Sequence, residues 1–93
     1  MKQVIGVVFG GKSGEHDVSL MSASNVIDVM DKSKYDVVKI GISRTGEWMM
    51  YNGDTKRIAG DTWEQDEENL IKGFSVFDHP VIKSVDVFFP ILH

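Results

Sequence analysis

The sequence predicts an α/β fold built on a parallel sheet, and three observations in its first half carry that expectation. An apolar run rich in β-branched residues is followed by a glycine-rich stretch. A helical repeat of apolar residues comes next, and then a second apolar run. Strand, loop, helix and strand in that order make a βαβ unit, whose crossover is right-handed.

Val4 to Phe9 (VIGVVF) lacks the polar alternation of a half-exposed strand. That is how a strand buried on both faces of a parallel sheet reads. Gly10-Gly11-Lys12-Ser13-Gly14 concentrates glycine and predicts a loop. Leu20, Ala23, Val26, Ile27 and Met30 recur at three- and four-residue steps and share one helix face. Asp17 or Ser19 is placed to accept the free N–H groups at the helix start. Asp31 to Lys34 ends the helix in a polar turn, and Tyr35 to Ile42 (YDVVKIGI) is the second strand. Ser43 to Gly46 is turn-like, and Glu47 to Tyr51 pairs back as a hairpin strand. Asn52-Gly53-Asp54 is a further turn signal. The acidic stretch from Gly60 to Asn69 reads as a solvated loop or short helix. Phe74 to Phe77 is a short antiparallel strand and Val85 to Phe89 another buried strand. The chain stops just after it, where α/β architecture places a covering helix, so the sequence reads as a piece of a longer protein cut near an active-site loop.

Composition narrows the function classes. At 42% hydrophobic and 26% charged, the chain has the make-up of an ordinary soluble globular domain. A net charge of −4 gives no electrostatic footprint for nucleic acid or an anionic membrane surface. Cysteine is absent, which excludes disulfides and thiolate metal sites. His16, His79 and His93 are too far apart in sequence for a zinc motif. No apolar run approaches the roughly 20 residues of a membrane span, and no signal peptide opens the chain. The expected setting is the cytoplasm.

Gly6 to Ser13 matches the letters of a P-loop, G-x-x-x-x-G-K-[ST]. The physics opposes the match. In a P-loop the residues between the glycines curl round a phosphate, whereas Val7, Val8 and Phe9 continue an apolar strand. Asp86, the nearest thing to a Walker-B acid, is expected inside a strand and not at its end. A dinucleotide fingerprint G-x-G-x-x-G does not occur.

The segment from Gly10 to Leu20 therefore carries the chemistry. It joins the C-terminal end of the first strand to the N-terminal end of the first helix, the edge where open α/β sheets bind ligands. Free N–H groups and the helix dipole suit an anion there. Glu15 has three uses open to it: capping the helix, holding a ligand ammonium, or acting as a base. Spacing favours Asp17 as the cap, and His16 reads as a surface histidine.

The run Gly10-Gly11-Lys12-Ser13-Gly14-Glu15-His16-Asp17-Val18-Ser19-Leu20-Met21-Ser22-Ala23 resembles the N-terminal signature of D-alanine–D-alanine ligases, including the D-Ala–D-Ser and D-Ala–D-lactate ligases of glycopeptide resistance. Ile40 to Trp48 resembles the family's I-G-I-T-x-x-G-x-W segment and leans towards the D-serine-using branch. Val85 to His93 resembles the strand leading into its H-G-x-x-G-E-D-G loop. Only the stretch from about Asn52 to Ser84 is weakly characteristic.

The resemblance implies that residues 1–93 are the first domain of a three-domain ATP-grasp enzyme, a Rossmann-like parallel sheet flanked by helices. It implies phosphorylation of a first D-alanine by ATP with Mg²⁺, then attack on the acyl phosphate by the amine of a second D-amino acid. The product is a peptidoglycan-precursor dipeptide. ATP and Mg²⁺ would be bound by the central and C-terminal domains, leaving this piece inactive alone, and the whole protein would be a homodimer. By position in the motif, Glu15 matches the glutamate that holds the first D-alanine's ammonium. Val18 matches an apolar contact to its methyl side, Ser19 opens the helix beside it and is counted with the substrate-binding residues, and His93 matches a histidine near its carboxyl group. The bland reading of His93 is a surface residue at a chain end. Two other classes compete: a P-loop nucleotide hydrolase, and a stand-alone module that keeps the loop for small-molecule binding only.

Overall fold

A computed structural model describes residues 2–11, 16–72 and 79–91 of the chain. The elements run β1 (Gln3–Gly10), α1 (His16–Val29), β2 (Tyr35–Ile42), β3 (Trp48–Tyr51), α2 (Thr55–Ala59), β4 (Leu70–Ile71), α3 (Pro80–Lys83) and β5 (Val87–Ile91). Single 3₁₀ turns at Trp63–Gln65 and Glu67–Asn69 lie between α2 and β4. The strands form one sheet in the order β4-β3-β2-β1-β5. No helix among the described residues is long and apolar enough to cross a membrane.

The expected α/β fold is present, with one refinement to the sheet. β1 runs parallel to β2 and β5, but β3 and β4 are antiparallel additions. The cause is the short turn after β2, where the Ser43 N–H donates to the Glu47 carbonyl at 2.9 Å and Gly46 takes a φ of 90°. A connection that short can only return the chain antiparallel, because a parallel return needs a crossover of a dozen residues or more.

β1 alternates between two cores, as a doubly covered strand must. Ile5, Val7 and Phe9 pack with Leu20, Ala23 and Ile27 of α1, Ile58 of α2 and Trp63. Val8 faces the other way, to Ile40, Ile42, Met50 and Ile82 of α3. The helical repeat read from sequence is the buried face of α1: Leu20, Ala23 and Ile27 are almost wholly shielded, and Val26 and Met30 pack beside them. α1 ends as expected in the Asp31–Lys34 turn, where the Ser33 N–H donates to the Asp31 carboxylate at 2.9 Å. The Lys32 ammonium donates to the Ile27 and Met30 carbonyls, satisfying acceptors the helix end leaves open.

The acidic stretch is more than a solvated loop. Trp63 lies inside it and is completely buried, edge-on to Phe9 at 5.1 Å between ring centres and to Tyr51 at 6.1 Å. A Cβ at Gly41 would overlap the Trp63 ring, so the indole occupies space that β2 leaves by lacking a side chain there. Asp54 caps α2, accepting from the Lys56 N–H at 2.9 Å, so the Asn52–Asp54 turn signal delivers a helix start.

The last strand also departs from expectation. Val85 to Phe89 reads as a fully buried strand, but β5 starts at Val87 and lies at the sheet edge. Val87, Phe88 and Phe89 are about half exposed there, among the described residues. Pro90 fits that edge position, since a strand proline lacks the N–H a second neighbour would use. The expected Phe74–Phe77 strand lies outside the described residues.

Two expected outcomes follow from this packing. Gly41→Ala forces a methyl group into the Trp63 ring and should lower stability by about 1–3 kcal/mol, read by denaturant unfolding with tryptophan fluorescence; an unchanged midpoint would show that the two do not meet. The second concerns pH. The Asp66 carboxylate accepts from the Tyr51 hydroxyl at 2.8 Å and the Asn69 amide at 3.0 Å, and these bonds hold it below the usual carboxylate range. Burial, aided by Asp66, pushes the Tyr51 hydroxyl up to about 12. The Asp66 contribution is complete above the ordinary carboxylate value near 4 and fades as pH falls through the lowered folded value. The Tyr51 contribution fades as pH rises from about 10 towards 12. Asp66→Asn should therefore lose less stability than the parent between about pH 5 and pH 2; parallel acid limbs for the two proteins would contradict this.

Candidate functional site

Three parallel strands end together on one edge. Gly10 is in register with Ile42, and Phe9 with Ile91, so the C-terminal ends of β1, β2 and β5 form one rim. Gly10 and Gly11 leave that rim with φ of 92° and 110°, values that favour glycine because other residues' Cβ atoms clash. The Gly11 N–H donates to the Ile42 carbonyl at 2.9 Å, which fixes the direction of exit across the end of β2.

α1 returns to the same rim. Ser19, in its first turns, is fully buried. Its hydroxyl accepts from the Gly10 N–H at 2.8 Å and donates to the Ile91 carbonyl. Val18 is half exposed, so a large apolar side chain stands open to solvent one residue away. Glu15 and His93 lie outside the described residues. In the sequence Glu15 immediately precedes the first residue of α1, and His93 is two positions beyond the last residue of β5.

The expected capping roles are corrected. α1 begins at His16, so its cap precedes Asp17 and Ser19, and both side chains are engaged elsewhere. Asp17 accepts from the Arg44 guanidinium at 2.7 Å, and Arg44 also reaches Asp61 at 3.4 Å. These pairs are exposed and stabilise modestly, but they tie the turn after β2 to the start of α1. Sequence reading passed over Arg44; the available signal was a cation in the turn directly after the strand whose end borders the glycine loop.

The P-loop match fails on geometry. Gly6 pairs with Val38 and Phe88 inside the sheet, Val7 and Phe9 are wholly buried, and the Gly10 N–H is already held by Ser19. Gly6 has a packing reason instead: a Cβ there would sit 3.0 Å from the Phe88 ring. Asp86 was expected inside the strand. It precedes β5 at the opposite edge, where its carboxylate accepts from the Val4 N–H at 2.8 Å.

A cleft of about 330 Å³ opens near that opposite edge, beside Lys2, Asp28, Lys32, Tyr35 and Lys39. Its cations are engaged: Lys2 with Asp36 at 3.7 Å, Lys32 with the carbonyls at the end of α1, and Lys39 with the Gly53 carbonyl. Burial also pulls the Lys39 amine below its usual value. No group of three or more His, Asp or Glu side chains converges as a metal site among the described residues.

Residues 4–93 match the family model described as D-ala D-ala ligase N-terminus. The chain is 42% identical over 101 residues to a D-alanine–D-alanine ligase of Thermoanaerobacter sp. (strain X514), covering 99% of this chain and 28% of that ligase. It is 40% identical over 95 residues to the vancomycin C-type resistance protein VanC1 of Enterococcus gallinarum, covering 96% of this chain and 27% of the relative. The crystal structure of the VanG D-Ala:D-Ser ligase from Enterococcus faecalis superposes on the whole chain with a TM-score of 0.88 at 37% identity, and 29% of that structure is covered. The chain thus spans less than a third of the relatives it matches. With its fold, its glycine-lined strand end and almost its full length accounted for, the chain belongs to the D-ala D-ala ligase N-terminus family.

Proposed function

We propose that residues 1–93 form the N-terminal, first-substrate-binding domain of an ATP-dependent ligase that joins D-alanine to a second D-amino acid. The observation that carries this reading is the junction of β1 and α1. The strand ends in two glycines at the rim, and the helix starts one residue after Glu15 with Val18 open to solvent beside it. A small zwitterion needs an anion for its ammonium and an apolar wall for its methyl group, and Glu15 and Val18, three positions apart in sequence, are assigned to supply these. His93, two positions past β5, is assigned to the carboxyl side of the same substrate.

In the proposed reaction the first D-alanine's carboxylate takes the γ-phosphoryl group of ATP, giving a D-alanyl phosphate and ADP. The amine of the second amino acid then displaces phosphate and forms the dipeptide. ATP and Mg²⁺ belong, in this reading, to ATP-grasp domains in the part of the relatives that this chain does not span. The described residues of this chain make a poor fit to either: Gly6 to Gly10 of the P-loop letters belong to β1, and no acidic or histidine cluster converges among the described residues. The chain's own residues bind and orient. A desolvated carboxylate–ammonium pair holds the carboxylate end of the substrate in place, and such positioning contributes several kcal/mol of barrier reduction. The whole protein is proposed to act as a cytoplasmic homodimer in peptidoglycan-precursor synthesis.

Glu15→Gln in the full-length protein should lower kcat/KM for the first D-alanine by about 30-fold or more, because breaking a buried charge pair costs roughly 2–5 kcal/mol and each ~1.4 kcal/mol is tenfold. A value near that of the parent in a coupled phosphate-release assay would remove Glu15 from the site. Lys12→Ala should leave nucleotide affinity within about threefold, or under ~0.7 kcal/mol. Loss of nucleotide binding would instead place the phosphates on this loop.

A further inference from the structure

Ser19 is a fully committed polar side chain at the rim. It is wholly buried, its hydroxyl proton goes to the Ile91 carbonyl, and it accepts the Gly10 N–H. The two partners are the end residues of β1 and β5. Ser19 is 9 residues from one and 72 from the other, so one hydroxyl ties the start of α1 to two strands that are remote in sequence. Both bonds lie where the strands stop, so they fix the point at which each chain leaves the sheet.

The placement of the proposed substrate residues gives this tie its meaning. In sequence Glu15 lies four positions before Ser19, and His93 lies two positions after Ile91. A shift of α1 along β1, or of β5 along β1, would change the distance between the start of α1 and the end of β5, the two described elements that these residues adjoin in sequence.

We infer that Ser19 is a positioning residue for the ligase reaction, a hydroxyl clamp that sets the spacing between the β1–α1 junction and the end of β5 without touching substrate. The inference rests on the proposed function. It assigns Ser19 a role distinct from the substrate contact that the resemblance implies for it. Its competitor is a purely structural role, in which the hydroxyl adds stability and nothing else.

The test uses the full-length protein with Ser19→Ala, Ser19→Cys and Ser19→Thr, assayed well below each unfolding midpoint. Ser19→Ala and Ser19→Cys, whose thiol is a weak donor, should raise KM for the first D-alanine or lower kcat so that kcat/KM falls about tenfold or more. KM for ATP should stay within twofold. Ser19→Thr keeps the hydroxyl and should recover most of the lost activity. Amide exchange at Gly10 should be slow in the parent and at least tenfold faster in Ser19→Ala. Folded Ala and Cys variants with kcat/KM within twofold of the parent would overturn the clamp, as would a Thr variant as impaired as Ala. Failure of both Ala and Cys variants to fold would make Ser19 a folding element and overturn it equally. If the parent itself makes no dipeptide, the proposed function fails and the positioning role falls with it, whereas an active parent with unaffected Ala and Cys variants overturns the clamp alone.

Discussion

β1 has no side that can face water. Val7 and Phe9 are wholly enclosed between α1 and Trp63, and Val8 is enclosed by Ile40 and Ile82 on the reverse. A strand of this kind must be paired on both edges and covered on both faces before its burial becomes favourable. β2 and β5 supply the edges; α1, α2 and Trp63 supply one face, and α3 the other. The rim follows from the same demand, because three parallel strands that share a register end together.

How much of this was readable in the residues depended on whether the signal was local. β1, α1 and β2 announce themselves through apolar runs and a helical period, since each buries a continuous face. Tyr35–Ile42 is found with its expected limits. Trp63 was hidden because its neighbours Glu64, Asp66, Glu67 and Glu68 are acidic, and its place in the core depends on a gap at Gly41 twenty-two positions earlier. β5 was misjudged for a related reason: Val-Phe-Phe has the composition of a central strand, and only the sheet order puts it at an edge. The site divides in the same way. The glycine loop and Val18 could be singled out from the sequence, whereas the use of Ser19 depends on Ile91, which spacing cannot bring near.

The polar groups at the rim follow a rule of distance from water. Arg44, Asp17 and Asp61 pair at the surface, where charge is cheap to keep and the bond is weak. Ser19 works in the interior with a neutral hydroxyl, which avoids the desolvation cost of a buried ion while satisfying a donor and an acceptor that would otherwise be orphaned. The half-exposed apolar surface of Val18 lies between the two regimes.

The β1–β5 pair is fastened at both ends, by Asp86 on Val4 and by Ser19 on Ile91, and the Val4–Asp86 bond joins residues 82 apart in sequence. Contacts of such long range require a large part of the chain to be ordered before they form, and they slow folding relative to local ones. The first forty-two residues contain β1, α1 and β2, but the rim has only two of its three strand ends until residue 91 has been synthesised. A nascent chain therefore holds the glycine loop for some time before it holds the finished edge, and β1 must pass that interval with one side unpaired.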